Sequence, residues 1–299
     1  MVADLREGRV FGSDGWVGLD ASHVLEDWNT YEQSNEEIVR SCARAQDAGV
    51  VELSGTTASL RQLGWGNYYH WLLQGLPRLI ALRHTVEPGE IDHLLVGTSV
   101  PFVTECLERL GFDPAQFRSE QAGAGVSVCE RLIAGNMPLE TPTPRWALDA
   151  IRALFPRSAS TRRSSRIYLT RANAQRRRVV NETDVVDALG RHGFTCVSLD
   201  GLSVAAQAQV VREAETIVAP HGAAMANLAF ADPGVNVIEF VPANNPQPLF
   251  WHLAEQVGAH YRMLVGVEPA LPREHRIWMN DADLVVDVGA LDRLLASTH

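Results

Sequence analysis

The chain contains no lysine: all 26 basic residues are arginine. Schiff-base chemistry on a lysine amine is thereby excluded, as is the Gly-x-x-x-x-Gly-Lys phosphate loop. Cysteine is scarce. Cys42, Cys106, Cys129 and Cys196 lie far apart with no Cys-x-x-Cys pair. That spacing argues against a zinc knuckle or a disulfide framework and leaves reduced core cysteines as the expectation. No apolar run approaches the ~18 residues that span a bilayer. The start, Met1-Val-Ala-Asp-Leu-Arg-Glu7, lacks the basic-then-apolar layout of a signal peptide. No membrane span and a cytoplasmic location are therefore expected. No strand-like run leads into Gly-x-Gly-x-x-Gly. Gly123-Ala-Gly125 lacks the third glycine and the following helix, which disfavours a nicotinamide or flavin enzyme. Internal repeats and low-complexity tracts are absent, and no set of acids and histidines is read as a metal site.

A positive balance is missing too. The net charge of -10 makes a general nucleic-acid surface unlikely as a function class, so no nucleic-acid partner is expected. The distribution is uneven: between Arg157 and Arg178 there are eight arginines and no Asp or Glu. A basic block in an otherwise acidic chain asks for an explanation.

What is present is material for two cores. At 299 residues and 46% hydrophobic content, two domains are expected. The polar stretch Arg157-Ser-Ala-Ser-Thr-Arg-Arg-Ser-Ser165 reads as the linker, giving domains 1–157 and 158–299. In the second, strand-like segments alternate with helix-like ones. Arg166–Thr170 is followed by a helix from an Asn181 cap to Arg191 with Gly193 as its stop. Then come strand Phe194–Leu199, helix Ser203–Glu215, strand Thr216–Ala219, a short helix from Ala223, strand Val235–Phe240, helix Phe250–Val257 and strand His260–Val265. Five strands alternating with helices predict a doubly wound, largely parallel sheet. The first half reads as α/β with weaker turn signals. Its segments are a helix from about Gly66 through His84, a strand Ile91–Val96, a helix Pro101–Leu110, a strand Val126–Leu132 and a helix from about Pro144 to Phe155. Before residue 50 only a helix around Glu36–Ala48 and a partly strand-like start are legible, with Trp16, Trp28 and Tyr31 unplaced.

In an open parallel sheet ligands sit beyond the carboxyl ends of the strands, so the residues just after each strand carry the test. Arg171 follows the first strand, with Arg176-Arg-Arg178 close behind. Guanidinium forks match phosphate oxygens two at a time, while a solvated basic loop is the bland alternative. Pro220-His-Gly-Ala-Ala-Met-Ala-Asn227 follows the apolar strand Thr216–Ala219. Its small residues let a ligand approach the backbone, and a helix start turns N–H groups toward an anion. Packing against the sheet is the alternative reason for small residues there. His221 either donates to a phosphate oxygen or is a structural histidine. Glu239 ends another strand, where it either accepts both hydroxyls of a ribose or faces water. On successive strand ends these parts suit a nucleoside diphosphate.

These residues resemble glycosyltransferase family 61. The likeness is carried by Ile167-Tyr-Leu-Thr-Arg171, Arg176-Arg-Arg-Val-Val-Asn-Glu182, Ala219-Pro-His-Gly-Ala-Ala-Met-Ala-Asn-Leu228 and Pro233-Gly-Val-Asn-Val-Ile-Glu-Phe240. Asn67-Tyr-Tyr-His-Trp-Leu-Leu73 and Leu76-Pro-Arg-Leu79 extend it into the first half. The resemblance implies a GT-B-like fold, two Rossmann-like domains facing across a cleft. It implies inverting, metal-independent transfer of a sugar, of N-acetylglucosamine or pentose type, from a UDP-sugar to a hydroxyl of a glycan or other acceptor. Bacterial relatives are tied to capsule or surface polysaccharide. No cofactor besides the donor substrate is expected. By position, Arg171, Arg177, Arg178, His221, Gly222, Ala223 and Asn227 form the donor site, with Glu239 on the nucleoside. Asn67, Tyr68 and Trp71 fall on the acceptor side, as a sugar platform with Tyr69 or as core aromatics. His70 is the candidate base, with a helix-start structural role as its alternative. Many relatives carry an acid where this chain has Gln74. Two other classes share the diphosphate cradle: a sugar-nucleotide epimerase or hydrolase, and a non-catalytic module that binds UDP or a phosphorylated glycan.

Overall fold

The computed structural model describes residues 2–25, 34–62, 64, 66–97, 100–118, 125–135, 143–157, 165–243, 246–267 and 282–296. Trp28, Tyr31, Gly123 and most of the Arg157–Ser165 linker, including Arg162 and Arg163, lie outside these residues. The chain divides into two compact units, Met1–Leu154 and Phe155–His299. Among the described residues no helix is long and apolar enough to cross a membrane.

The first unit is built on a mixed sheet. Its strands are β1 (Val2–Arg6), β2 (Arg9–Phe11), β3 (Trp16–Asp20), β4 (His23–Val24), β5 (Val50–Ser59), β6 (His93–Leu95), β7 (Phe117–Arg118) and β8 (Val126–Gly135). They run in the order β4-β3-β2-β8-β5-β6-β7, with β1 also on β8. The β5, β6, β7 side is parallel, whereas β1 and β2 pair antiparallel with β8. The first unit is thus α/β with a mixed sheet, parallel only among its later strands. Residues 2–24 form a meander instead, because Gly12 and Gly15, at φ 60° and 73°, let the chain reverse between β2 and β3. The following helix, Asn35–Asp47, starts at a Ser34–Glu37 capping box. Its Ile38, Cys42 and Ala45 pack on Phe11, Trp16 and Val126.

The segment after Gly66 is one helical run in three parts: an α-turn at Tyr68–His70, a π-helical turn at Trp71–Gly75 and an α-helix at Leu76–Arg83. All five residues of the π-turn are buried. Just beyond it, Arg78 is also buried, and both of its acceptors are neutral. Its Nε donates to Gly135 O and its Nη1 to Gln62 Oε1, each at 2.6 Å. Burial pulls its pKa down to about 10, which still leaves it charged at neutral pH. Arg78→Ala would orphan two buried acceptors and open a cavity. A loss of roughly 2–3 kcal/mol in urea-unfolding free energy is expected, and an unchanged urea midpoint would show that Arg78 contributes nothing to the core.

The second unit has an all-parallel sheet of β9 (Ser165–Leu169), β10 (Phe194–Val197), β11 (Ala214–Pro220), β12 (Asn236–Pro242) and β13 (His260–Gly266), in the order β10-β9-β11-β12-β13. Helices cover both faces, as the alternation predicts. Glu182–Arg191 and Val288–Ala296 close one face over Tyr168, Val218, Ile238 and Phe240. Val204–Glu213, the 3-10 helix Ala223–Phe230 and Leu249–Val257 pack together on the other. From β9 the chain steps out to β10, then returns past β9 to β11. The two departures from β9 go opposite ways, so the carboxyl ends of β9 and β11 flank the topological switch point.

Asn181 stands at the cap position of Glu182–Arg191 but makes no side-chain capping bond. Its amide instead bonds the Val286 backbone, donating to O at 2.9 Å and accepting from N–H at 3.0 Å. Of the four cysteines, Cys42, Cys106 and Cys129 are buried and unbridged, whereas Cys196 is exposed on β10. The expectation of core cysteines is corrected at that position.

Candidate functional site

The parallel register sets Ile167 beside Ile217 and Tyr168 beside Val218. Continued past the strand ends, it carries Arg171 to the His221-Gly222 turn. A methyl group on Gly222 would lie 1.9 Å from Arg171 Nη1 and 2.6 Å from its Cζ. Arg171 therefore packs flat on the one residue of the turn that has no side chain.

The base of Arg171 is held by Glu182. One oxygen of this carboxylate accepts from Tyr168 O–H at 2.8 Å, Thr170 O–H at 2.7 Å and Arg171 N–H at 3.4 Å. The first residue of the helix thereby clamps the end of β9. At the guanidinium, Nη2 donates to Arg176 O at 3.2 Å, and Nε is buried without a partner among the described residues. Burial and then the neighbouring Arg177 charge hold Arg171 below the ordinary arginine pKa, with Asp200 acting the other way.

Three other arginines of the block are occupied elsewhere. Arg157 pairs with Asp232, and Arg166 with Glu215 at 2.9 Å. Arg178 is committed to Asp283: its backbone N–H reaches Oδ1 at 2.9 Å, while Nε and Nη2 reach Oδ2 at 3.1 and 2.8 Å. The structure thus places Arg178 in an ion pair that ties residues 282–287 to the loop after β9, and it does not bring Arg178 onto the turn. Arg177 takes a left-handed backbone conformation, φ 55°, between them. Asp283 also completes Asp281-Ala-Asp283, an Asp-x-Asp triplet that the sequence reading left out. Asp281 lies outside the described residues. Among those residues no group of three or more His, Cys, Asp or Glu is placed to hold a metal ion.

In the turn itself, Gly222 is buried, Ala223 is half-buried, and the first internal bond runs from Met225 N–H to Gly222 O at 2.9 Å. The N–H groups ahead of that bond lie at the amino end of the 3-10 helix. Asn227 is fully buried, and its amide donates to Gln207 Oε1 at 2.9 Å and Ala224 O at 3.0 Å. It fastens the turn to the Val204–Glu213 helix from behind. His221 and Glu239 are both buried, with His221 Nδ1 2.5 Å from Glu239 Oε1. The other Glu239 oxygen accepts from Tyr261 O–H at 2.6 Å. Glu239 consequently stands behind His221, not at the water-facing strand end that sequence position alone allowed. Tyr261, which sequence reasoning missed, has no motif to mark it.

In the first unit, Asn67 caps the helical run by accepting from Tyr69 N–H at 2.9 Å. Tyr68 is half-buried and stacks edge-on against Phe102, whereas Trp71 is a core residue at 2% exposure. His70 Nδ1 lies 2.7 Å from Gln74 Oε1, one helical turn on. An amide oxygen only accepts, so Nδ1 carries the proton. Burial holds the His70 pKa below its usual value, and the Gln74 bond partly offsets this.

The Glycosyltransferase 61 family model matches residues 68–238, from the start of the Tyr68–Arg83 helical run to the middle of β12. No curated protein matches the sequence significantly. The match covers more than half of the 299 residues and takes in both the His70 segment and the Arg171–Gly222 contact, so the chain belongs to glycosyltransferase family 61.

Proposed function

We propose that this glycosyltransferase takes its sugar from a UDP-sugar whose diphosphate is held in the second unit by Arg171 and the His221-Gly222-Ala223 turn. Arg177 adds positive charge beside Arg171. The sugar, of N-acetylglucosamine or pentose type, passes with inversion to a hydroxyl of a glycan or other acceptor, without a metal. The observation that carries this reading is the Arg171 guanidinium laid on Gly222 at the switch point of a parallel sheet. A half-buried guanidinium with a buried, unpartnered Nε next to a second arginine is costly on its own, and a diphosphate supplies the missing acceptors. In departure the diphosphate gains charge, so the same donors stabilise the transition state more than the bound donor.

Calorimetry and thermal shift with UDP, UDP-N-acetylglucosamine and a UDP-pentose test the reading, followed by transfer assays with and without acceptor. Binding of the uridine nucleotides and acceptor-dependent transfer are expected. Failure of every nucleotide to bind overturns the donor site. Release of free sugar without an acceptor would assign a hydrolase.

His70 is the proposed base that takes the acceptor hydroxyl's proton. Its lowered pKa keeps it unprotonated at neutral pH, so kcat/KM should fall only on the acid side of the ordinary histidine value of 6.5. Gln74→Glu places a carboxylate at the Nδ1 hydrogen bond. This favours the imidazolium and raises the pKa, so the acid limb of the pH profile should move upward by about 1–2 units. An unmoved limb in that variant would mean that His70 is not the group whose titration controls transfer.

A further inference from the structure

Glu239 is completely buried on β12, beside Ala219 of β11 and Met263 of β13. A carboxylate in such a place persists only when its charge and lone pairs are matched. Its two oxygens are matched from opposite sides, Oε2 by Tyr261 O–H at 2.6 Å and Oε1 by His221 Nδ1 at 2.5 Å. Burial and Glu239 together raise the Tyr261 pKa, so the phenol keeps its proton and serves as the donor. Carboxylate oxygens only accept, so the imidazole must also give its Nδ1 proton. Phe250 lies against the ring at 5.1 Å between centroids, and His221 N–H donates to Phe240 O at 2.9 Å. Backbone and ring of His221 are therefore both held.

The three side chains form a line across the sheet, from the edge strand β13 through β12 to the turn after β11. Their order is tyrosine, carboxylate, imidazole, and the ring nitrogen at the free end is His221 Nε2. We propose that Glu239 and Tyr261 are positioning residues that lock His221 with its proton on Nδ1, so that Nε2 alone addresses the diphosphate of the nucleotide sugar. This inference rests on the donor site proposed above and deepens it: Glu239 acts through His221 and does not receive the ribose hydroxyls. To donate from Nε2 to a phosphate oxygen, the ring takes up a second proton from solvent as the diphosphate binds, and Glu239 stands where that charge is balanced. The logic is that of a carboxylate behind a catalytic histidine, which fixes tautomer and orientation without itself changing protonation.

The test uses the full chain with 15N-labelled histidine and the variants Glu239→Gln, Glu239→Asp and Tyr261→Phe. His221 is assigned by comparison with His221→Asn. In the wild type, the His221 ring signals should report the Nδ1-protonated form. In Glu239→Gln they should shift to a mixture or to the other tautomer, with UDP affinity and kcat each down about 10- to 100-fold. Glu239→Asp should recover part of the loss. Tyr261→Phe removes a single hydroxyl from the edge strand, and it keeps the test open should Glu239→Gln fail to fold. It should weaken UDP several-fold while KM for the acceptor stays unchanged. Unaltered ring signals in Glu239→Gln overturn the proposal, as does wild-type UDP affinity in both folded variants. If the wild type itself binds no nucleotide, the donor site falls, while the ring signals still decide whether Glu239 sets the tautomer.

Discussion

Replacing Arg171 with alanine should weaken UDP binding and lower turnover together, on the order of 10²- to 10³-fold in kcat/KM. The size follows from what the guanidinium does. It faces the turn with a buried Nε that has no acceptor among the described residues, and its Nη2 meets a backbone carbonyl at 3.2 Å. Little of its bonding capacity is spent inside the fold, so its removal should cost the ligand more than the fold. Gly222→Ala provides an independent arm. The added methyl group would meet Arg171 Nη1 at 1.9 Å, yet that atom ends a flexible side chain and can swing away. Gly222 has an extended backbone, φ 167°, which alanine adopts freely. The alanine variant should therefore melt near the wild-type temperature but bind UDP almost as poorly as Arg171→Ala. Isothermal titration decides the matter: wild-type UDP affinity in either folded variant removes Arg171 from the site.

His70→Ala should separate binding from chemistry. Loss of a general base typically lowers the rate by about 10²- to 10⁴-fold, and acceptor-dependent transfer should drop within that range. UDP affinity should stay at the wild-type level, because the proposed diphosphate donors all belong to the second unit. The His70–Gln74 bond at 2.7 Å holds the ring by its Nδ1 hydrogen, which leaves the basic lone pair on Nε2. A folded His70→Ala enzyme that transfers sugar at full rate would reduce His70 to a structural part of the helical run.

The order in which these residues became legible has a physical basis. The central strands β9, β11 and β12, buried along most of their length, are short apolar runs bounded by turn residues, which is why they are legible within a few residues of their ends. The strand β5 was missed because Val50-Val-Glu-Leu-Ser-Gly-Thr-Thr-Ala-Ser59 is small and polar. Its half next to β6 is buried by neighbours that local sequence does not reveal. The π-turn at Trp71–Gly75 escaped because apolar periodicity does not distinguish one widened turn from a regular helix. The helix Val288–Ala296 also went unread, although its Leu291 and Leu295 complete the core over Tyr168 and Ile238.

The sequence by itself determined the α/β class, the parallel second unit, the exclusion of lysine chemistry, and the placement of Arg171 and the His221 turn after neighbouring strands. These are local properties: residue type, period and turn chemistry act over a few positions. Which arginine lies against the turn and which is drawn into an ion pair follows from the tertiary structure alone. Arg178 meets Asp283, 105 residues away, whereas Arg171 meets Gly222. The partners of Glu239 are set in the same way, with His221 and Tyr261 each meeting one of its oxygens. Charge pairing depends on distance in space, and distance in space is set by strand order, which no single segment of the chain encodes.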